Sequence, residues 1–182
     1  MRSARMKITI VVLLSLLSPG CSLVRKERAL ELSFQMATPE GFVPSRQTVI
    51  WLEKPDGTFV KTMFVSDYTA YGGYLVPGIC PEWVSKAQWK NVNEEEFDAV
   101  TGATPSEGKV SMTLDCPKDK VPDGDYILFM EVHLNENFNV LCKGEIQVGD
   151  KKHETAMTVE YLPQKYPKLK GEYLSNVKVT CK

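Results

Sequence analysis

The chain is poor in the residues that most metal and hydrolytic chemistry needs. It has two histidines, His133 and His153, and its five cysteines form no C-x-x-C pair. Zinc sites of the C-x-x-C type and covalent haem attachment through C-x-x-C-H are therefore excluded. No G-x-S-x-G elbow, H-E-x-x-H helix or G-x-x-x-x-G-K phosphate loop is present, so no residue is assigned a catalytic role. The chain has no basic cluster, and its formal net charge is −1, which argues against nucleic acid as a partner. Beyond the N-terminal segment no long hydrophobic run occurs. Internal repeats and low-complexity stretches are also missing.

The first twenty residues differ from the rest. Arg2, Arg5 and Lys7 make a basic start with no acidic residue, and Ile8 to Leu17 is an apolar run of ten residues. That length is too short for a resident transmembrane helix and suits a signal peptide. The following Leu17-Ser18-Pro19-Gly20-Cys21 resembles the lipobox of bacterial lipoproteins. It departs from the usual pattern at Ser18, where Leu is expected, and at Pro19. The resemblance implies diacylation of Cys21 after removal of residues 1–20. Residues 21–28 then form a tether and residues 29–182 a single domain. Losing 20 of the 182 residues leaves 162, enough for one core without staples. Losing three cations takes the formal charge from −1 to −4. Ser22 stands where Asp commonly favours inner-membrane retention, so the anchor leans towards the outer membrane.

With Cys21 lipidated, Cys80, Cys116, Cys142 and Cys181 remain. An even number in an oxidising compartment predicts two disulfides, with three pairings open. Cys142 with Cys181 and Cys80 with Cys116 is the pairing adopted here.

Strand signals dominate the mature part. Ala29–Met36 alternates apolar and polar residues with period two. Thr48–Glu53 and Phe59–Val65 flank a Pro55-Asp56-Gly57 turn and read as a hairpin. Further strands are expected over Lys109–Asp115, Tyr126–Leu134, Phe138–Val148, His153–Leu162 and Tyr173–Cys181. Between Ser66 and Phe97 the pattern breaks into a segment rich in Tyr and Trp. Pro81-Glu82-Trp83 there predicts one helix, running to about Lys90. Together these signals predict a mainly β fold, an antiparallel immunoglobulin-like β-sandwich with one short helix in an insertion. Glu94-Glu95-Glu96 reads as a solvated acidic turn rather than a metal site, and no metal is assigned. His133 reads as a satisfied strand residue.

Directly after the insertion stands Asp98-Ala99-Val100-Thr101-Gly102-Ala103-Thr104, the pattern D-x-x-[ST]-G-A-[ST]. It resembles the flavinylation motif of FMN-binding flavoprotein domains, such as those of sodium-pumping quinone reductases. In that family an exported flavin transferase joins FMN through its phosphate to the last hydroxyl of the motif. The resemblance implies Thr104 as acceptor, with Asp98, Thr101, Gly102 and Ala103 as supporting positions. The residue types suit the chemistry: Gly102 and Ala103 add little bulk, and Gly102 permits a positive-φ turn. Pro105 favours an extended Thr104 that projects its side chain. Asp98 is placed to hold the loop or metal-bound phosphate, and nearby Tyr and Trp rings to cover an isoalloxazine. The same stretch also reads as an ordinary turn into a strand.

A second resemblance covers about Leu30 to Val148. A V-x-W strand (Val49-Ile50-Trp51) is followed by Asp56 to Thr62 (DGTFVKT), Trp89, Asp98 to Pro105 (DAVTGATP) and Asp123 to Glu131. This order is similar to periplasmic proteins of domain-of-unknown-function family 2271, which often accompany flavin transferases and membrane redox proteins. The lipobox-like Cys21 and four further cysteines depart from many members. The resemblances imply a lipid-anchored extracytosolic electron carrier with covalent FMN on Thr104, rather than a stand-alone enzyme. Its partners would be the membrane, a flavin transferase and a membrane redox protein. The alternative is a cofactor-free binding or structural lipoprotein. Anchoring is checked by metabolic labelling with a fatty-acid analogue, which is expected to mark the wild type and not Cys21→Ser. Equal labelling of both would refute it.

Overall fold

The computed structural model describes residues 28–38, 43–117, 119–149, 151–162 and 173–182. The expected signal peptide, Cys21 and the expected tether up to residue 27 lie outside the described residues. No helix among the described residues is long and apolar enough to cross a membrane.

Among the described residues, ten strands form two sheets. The four-stranded sheet has the order β5-β1-β10-β8, from β1 (Ala29–Met36), β5 (Gly108–Asp115), β8 (His153–Ala156) and β10 (Leu174–Cys181). The six-stranded sheet has the order β4-β3-β2-β6-β7-β9. It is built from β2 (Gln47–Glu53), β3 (Phe59–Ser66), β4 (Thr101–Gly102), β6 (Gly124–Asn135), β7 (Phe138–Val148) and β9 (Thr158–Leu162). All pairings are antiparallel except the short parallel bridge of Val65 and Ser66 with Thr101 and Gly102. The expected mainly β sandwich is what forms.

Period-two alternation explains the core. Leu30, Leu32, Phe34 and Met36 of β1 point inward, as do Tyr126, Leu128, Met130, Val132 and Leu134 of β6. The two inner faces meet in one apolar cluster. Val49 to Leu52 of β2 are fully buried on both sides. Ile50 and Leu52 enter the sandwich core, while Val49 and Trp51 face the opposite way, under the insertion.

The insertion carries three short helices rather than one: α1 (Asp67–Ala70), α2 (Pro81–Ala87) and α3 (Glu94–Val100), with tight turns at Gly73–Leu75 and Trp89–Asn91. The expected helix to Lys90 stops at Ala87 because Gln88 adopts a left-handed φ of 48°. Glu94-Glu95-Glu96 is the first turn of α3, not an irregular turn. The Asn93 side chain accepts from the Glu96 N–H at 2.9 Å, and acidic residues suit the positive end of the helix.

The expected strand over His153–Leu162 divides in two. Met157 is buried, its N–H donates to Val177 O, and the chain passes there from the four-stranded to the six-stranded sheet. Its side chain occupies the space a Cβ on Gly144 would need, 2.9 Å away.

The cysteine expectation is corrected. Cys80, Cys116, Cys142 and Cys181 are all unbridged and buried. Cys80 lies in the cluster beneath the insertion, whereas the other three lie in the sandwich core. The six-stranded sheet therefore stands between Cys80 and Cys116. The Cys142–Cys181 bridge is likewise not formed. Burial pushes the Cys116 and Cys142 thiols up to about 12, so neither is a ready nucleophile. In folded protein these four thiols are expected to resist an alkylating reagent. Denaturation without reductant is expected to expose all four. Finding none after denaturation would restore the disulfides.

Candidate functional site

The outer face of the six-stranded sheet is where chemistry gathers. Along β6 the outward positions include Phe129, Glu131 and His133, and along β2 they include Val49, Trp51 and Glu53. The insertion lies over them, packing an apolar cluster on that face and adding a set of polar ties. The Trp83 N–H, at the start of α2, donates to Glu131 Oε2 at 3.1 Å. The Trp83 indole donates to Thr62 Oγ1 at 3.1 Å, and the Trp89 indole to Ala70 O at 3.1 Å. Asn139 on β7 donates to Gly78 O at 2.9 Å and accepts from the Cys80 N–H at 3.3 Å. Lys86 Nζ and the Trp51 indole both reach Glu53 Oε1 at 2.6 Å. Glu53 is 2% exposed, so its charge is held by this pair rather than by water.

Glu131 is fully buried, and its Oε1 has no hydrogen-bond partner. Burial pushes its carboxyl up to about 8, although the Trp83 and Glu82 N–H groups pull it down. Burial also lowers His133, whose Nδ1 lies 3.2 Å from Asn139 Oδ1; that contact partly offsets the shift. His133 is thus a satisfied strand residue. His153 stands apart and exposed on β8. No group of three or more His, Cys, Asp and Glu among the described residues is arranged to hold a metal ion.

The motif is split over three local structures. Asp98 is exposed on α3 rather than in a turn. Thr101 closes that helix, its hydroxyl donating to Phe97 O at 2.6 Å, and begins β4. Gly102 does not take the expected positive φ. It is glycine for a different reason: a Cβ there would lie 2.9 Å from the Phe64 ring. Ala103 is exposed. Thr104 is half-buried rather than fully projecting, and Gln47 Nε2 donates to its Oγ1 at 3.1 Å. Gln47 Oε1 in turn accepts from the Thr69 N–H at 3.3 Å and the Thr69 hydroxyl at 3.1 Å. The sequence reading missed Gln47, Thr69 and Glu131. Glu131 and His133 did leave a signal, as polar residues two apart in an otherwise apolar strand.

The aromatic side chains divide by depth. Trp83 and Trp89 are buried and packed on each other at 5.2 Å, so they are core and cannot cover a ligand. Trp89 continues to Phe97 at 5.6 Å, and Phe97 to Tyr71 at 4.9 Å. Tyr71 and Tyr68 reach the surface.

Glu131 makes the docking of the insertion depend on pH. Its pKa is raised in the folded state, so folded protein holds an extra proton between about 4.5 and about 8. Its contribution to stability is complete below that window and falls as pH rises through it, by up to about 1.4 kcal/mol per pH unit. His133, lowered by burial, acts in the opposite sense below its ordinary value. Comparing wild type with Glu131→Gln in denaturant titrations at several pH values separates the two. The wild type is expected to lose stability relative to the variant as pH rises towards 8, and a constant difference would count against the buried carboxyl.

No curated protein and no solved structure matches the chain. A family model does match, over residues 28–162, and it takes in β1 to β9, the whole insertion and the motif, leaving β10 outside. The chain belongs to the family described as predicted periplasmic protein (DUF2271), a description that fits a protein of the cell envelope.

Proposed function

We propose that the protein is a lipid-anchored carrier of the cell envelope, with Thr104 as the attachment point for FMN. The observation that carries this reading is the setting of the Thr104 hydroxyl within the D-x-x-T-G-A-T motif. The hydroxyl is half-buried at the domain surface, and the Gln47 amide donates to it. That contact positions the oxygen without using its proton. Gly102 and Ala103 keep bulk away on one side, and Asp98 offers an exposed carboxylate on α3. The residues present therefore fit a phosphoester between Thr104 Oγ1 and the FMN phosphate, formed with formal loss of one water.

Bound FMN supplies one- and two-electron transfer. The protein's own part is to hold the acceptor oxygen, to present the motif to an exported flavin transferase, and to shield one side of the loop. Arg28, where the tether ends, pairs with Asp123 just before β6. The motif lies at the other end of that strand, beside Gln47, which is opposite His133. Arg28 and the motif thus sit at opposite ends of β6, an arrangement that suits a motif meant to meet a membrane redox protein.

Intact mass tests the reading. Exported beside an active flavin transferase, the wild type is expected to gain the mass of FMN less one water and a yellow fluorescence that survives denaturation. Thr104→Ala is expected to lose both, Thr104→Ser to keep both, and Asp98→Ala to load more slowly. A wild type without covalent flavin would refute the carrier and leave a cofactor-free binding or structural lipoprotein.

A further inference from the structure

Tyrosine rings normally bury most of their area. Here Tyr68 and Tyr71 remain 57% and 76% exposed, three residues apart on and just after α1. Neither is a loosely solvated side chain. The Tyr68 ring lies across Gly73, where an added Cβ would be 2.7 Å from two ring carbons. Tyr71 meets Phe97 edge to face, with the ring planes at 74°. Leu75 and Val76, also exposed, continue the apolar surface along the same segment.

Two links join this surface to the motif. Gln47 donates to Thr104 Oγ1 with one end of its amide and accepts from Thr69 with the other. Thr69 lies between Tyr68 and Tyr71. On the opposite side, Phe97 supports Tyr71 with its ring and holds the Thr101 hydroxyl with its carbonyl. The segment of α1 with its two tyrosines and the loop after β4 that bears Thr104 are therefore fixed relative to each other.

We infer that Tyr68 and Tyr71 form a stacking platform for a planar aromatic ring, and that its occupant is the isoalloxazine carried on Thr104. The inference rests on the attachment reading above. A single amide bridges Thr104 and Thr69, which brings the proposed attachment point close to the segment that bears Tyr68 and Tyr71. Offset stacking on a tyrosine face, edged by Leu75 and Val76, supplies apolar contact on one side and leaves the other side open to a redox partner. Buried Trp83 and Trp89 offer no such face.

The test uses the full chain, exported and loaded by the transferase, as wild type, Tyr71→Phe and the Tyr68→Ala/Tyr71→Ala double variant. Intact mass gives the loading of each, and far-ultraviolet circular dichroism verifies folding. Wild-type flavin is expected to be quenched and to brighten several-fold on denaturation, with visible circular dichroism in the folded state. Tyr71→Phe is expected to retain both signals. The double variant is expected to load equally and yet be bright when folded, with its visible circular dichroism lost. Equal loading with indistinguishable spectra would overturn the platform and leave the patch as a surface for a protein partner. If no adduct forms, attachment fails, and the platform is tested separately by titrating unloaded protein with riboflavin. Quenching that the double variant abolishes would then support the platform, and no binding by the wild type would overturn it.

Discussion

The outer face of the six-stranded sheet has to be covered, and the rest of the structure follows from how this is done. Its inner face is closed by the four-stranded sheet in the ordinary manner of a sandwich. Its outer face carries Val49, Trp51, Val65 and Phe129, too much apolar surface to leave in water. The insertion between β3 and β4 supplies the cover, packing Ala70, Ile79, Trp83 and Trp89 on that face. Short helices alone would not stay there, since α1 has four residues and α2 and α3 have seven each. They are tied down by side chains of the sheet: Glu131 to the start of α2, Asn139 to Gly78 and Cys80, and Gln47 to α1. A buried unsatisfied polar group costs about 1–3 kcal/mol, so each tie also penalises undocking.

The same ties set the geometry of the motif. β4 is only two residues long, and it pairs with β3 because α3 returns the chain to the edge of the sheet. Thr104 then falls beside Gln47, at the start of the strand that also fixes α1. The Thr104 hydroxyl, the exposed tyrosines and the buried carboxyl of Glu131 are thus parts of one packed unit. A perturbation of the insertion would be felt at Thr104 even though none of its helices contains that residue.

The cysteines show how composition and geometry can point in different directions. Four thiols in an exported domain suggest bridges, and a count offers nothing against them. Position does: Cys142 faces the sandwich core from β7, while Cys80 caps α2 on the far side of the same sheet, at a left-handed φ of 45°. Each is buried as a small apolar residue. Stability here comes from two apolar clusters back to back across one sheet.

Much of the architecture was legible from local pattern. Alternation in Ala29–Met36 and Phe138–Val148 placed both strands at their observed bounds, and Pro55-Asp56-Gly57 marked the hairpin, because side-chain direction in a strand and turn chemistry are local properties. The motif and the irregular segment before it were equally visible, as were the residues Asp98, Thr101, Gly102, Ala103 and Thr104. Other features depend on partners remote in sequence. The break at Met157 depends on Val177 and Gly144, and the reason for Gly102 depends on Phe64. The environment of Glu131 depends on Trp83, 48 residues away, and that of Thr104 on Gln47, 57 residues away. Sequence by itself determined the strands, the turns and the chemical identity of the motif. Tertiary structure alone decided which face each residue occupies, because burial and hydrogen bonding are set by chain segments that meet only when the sheets close.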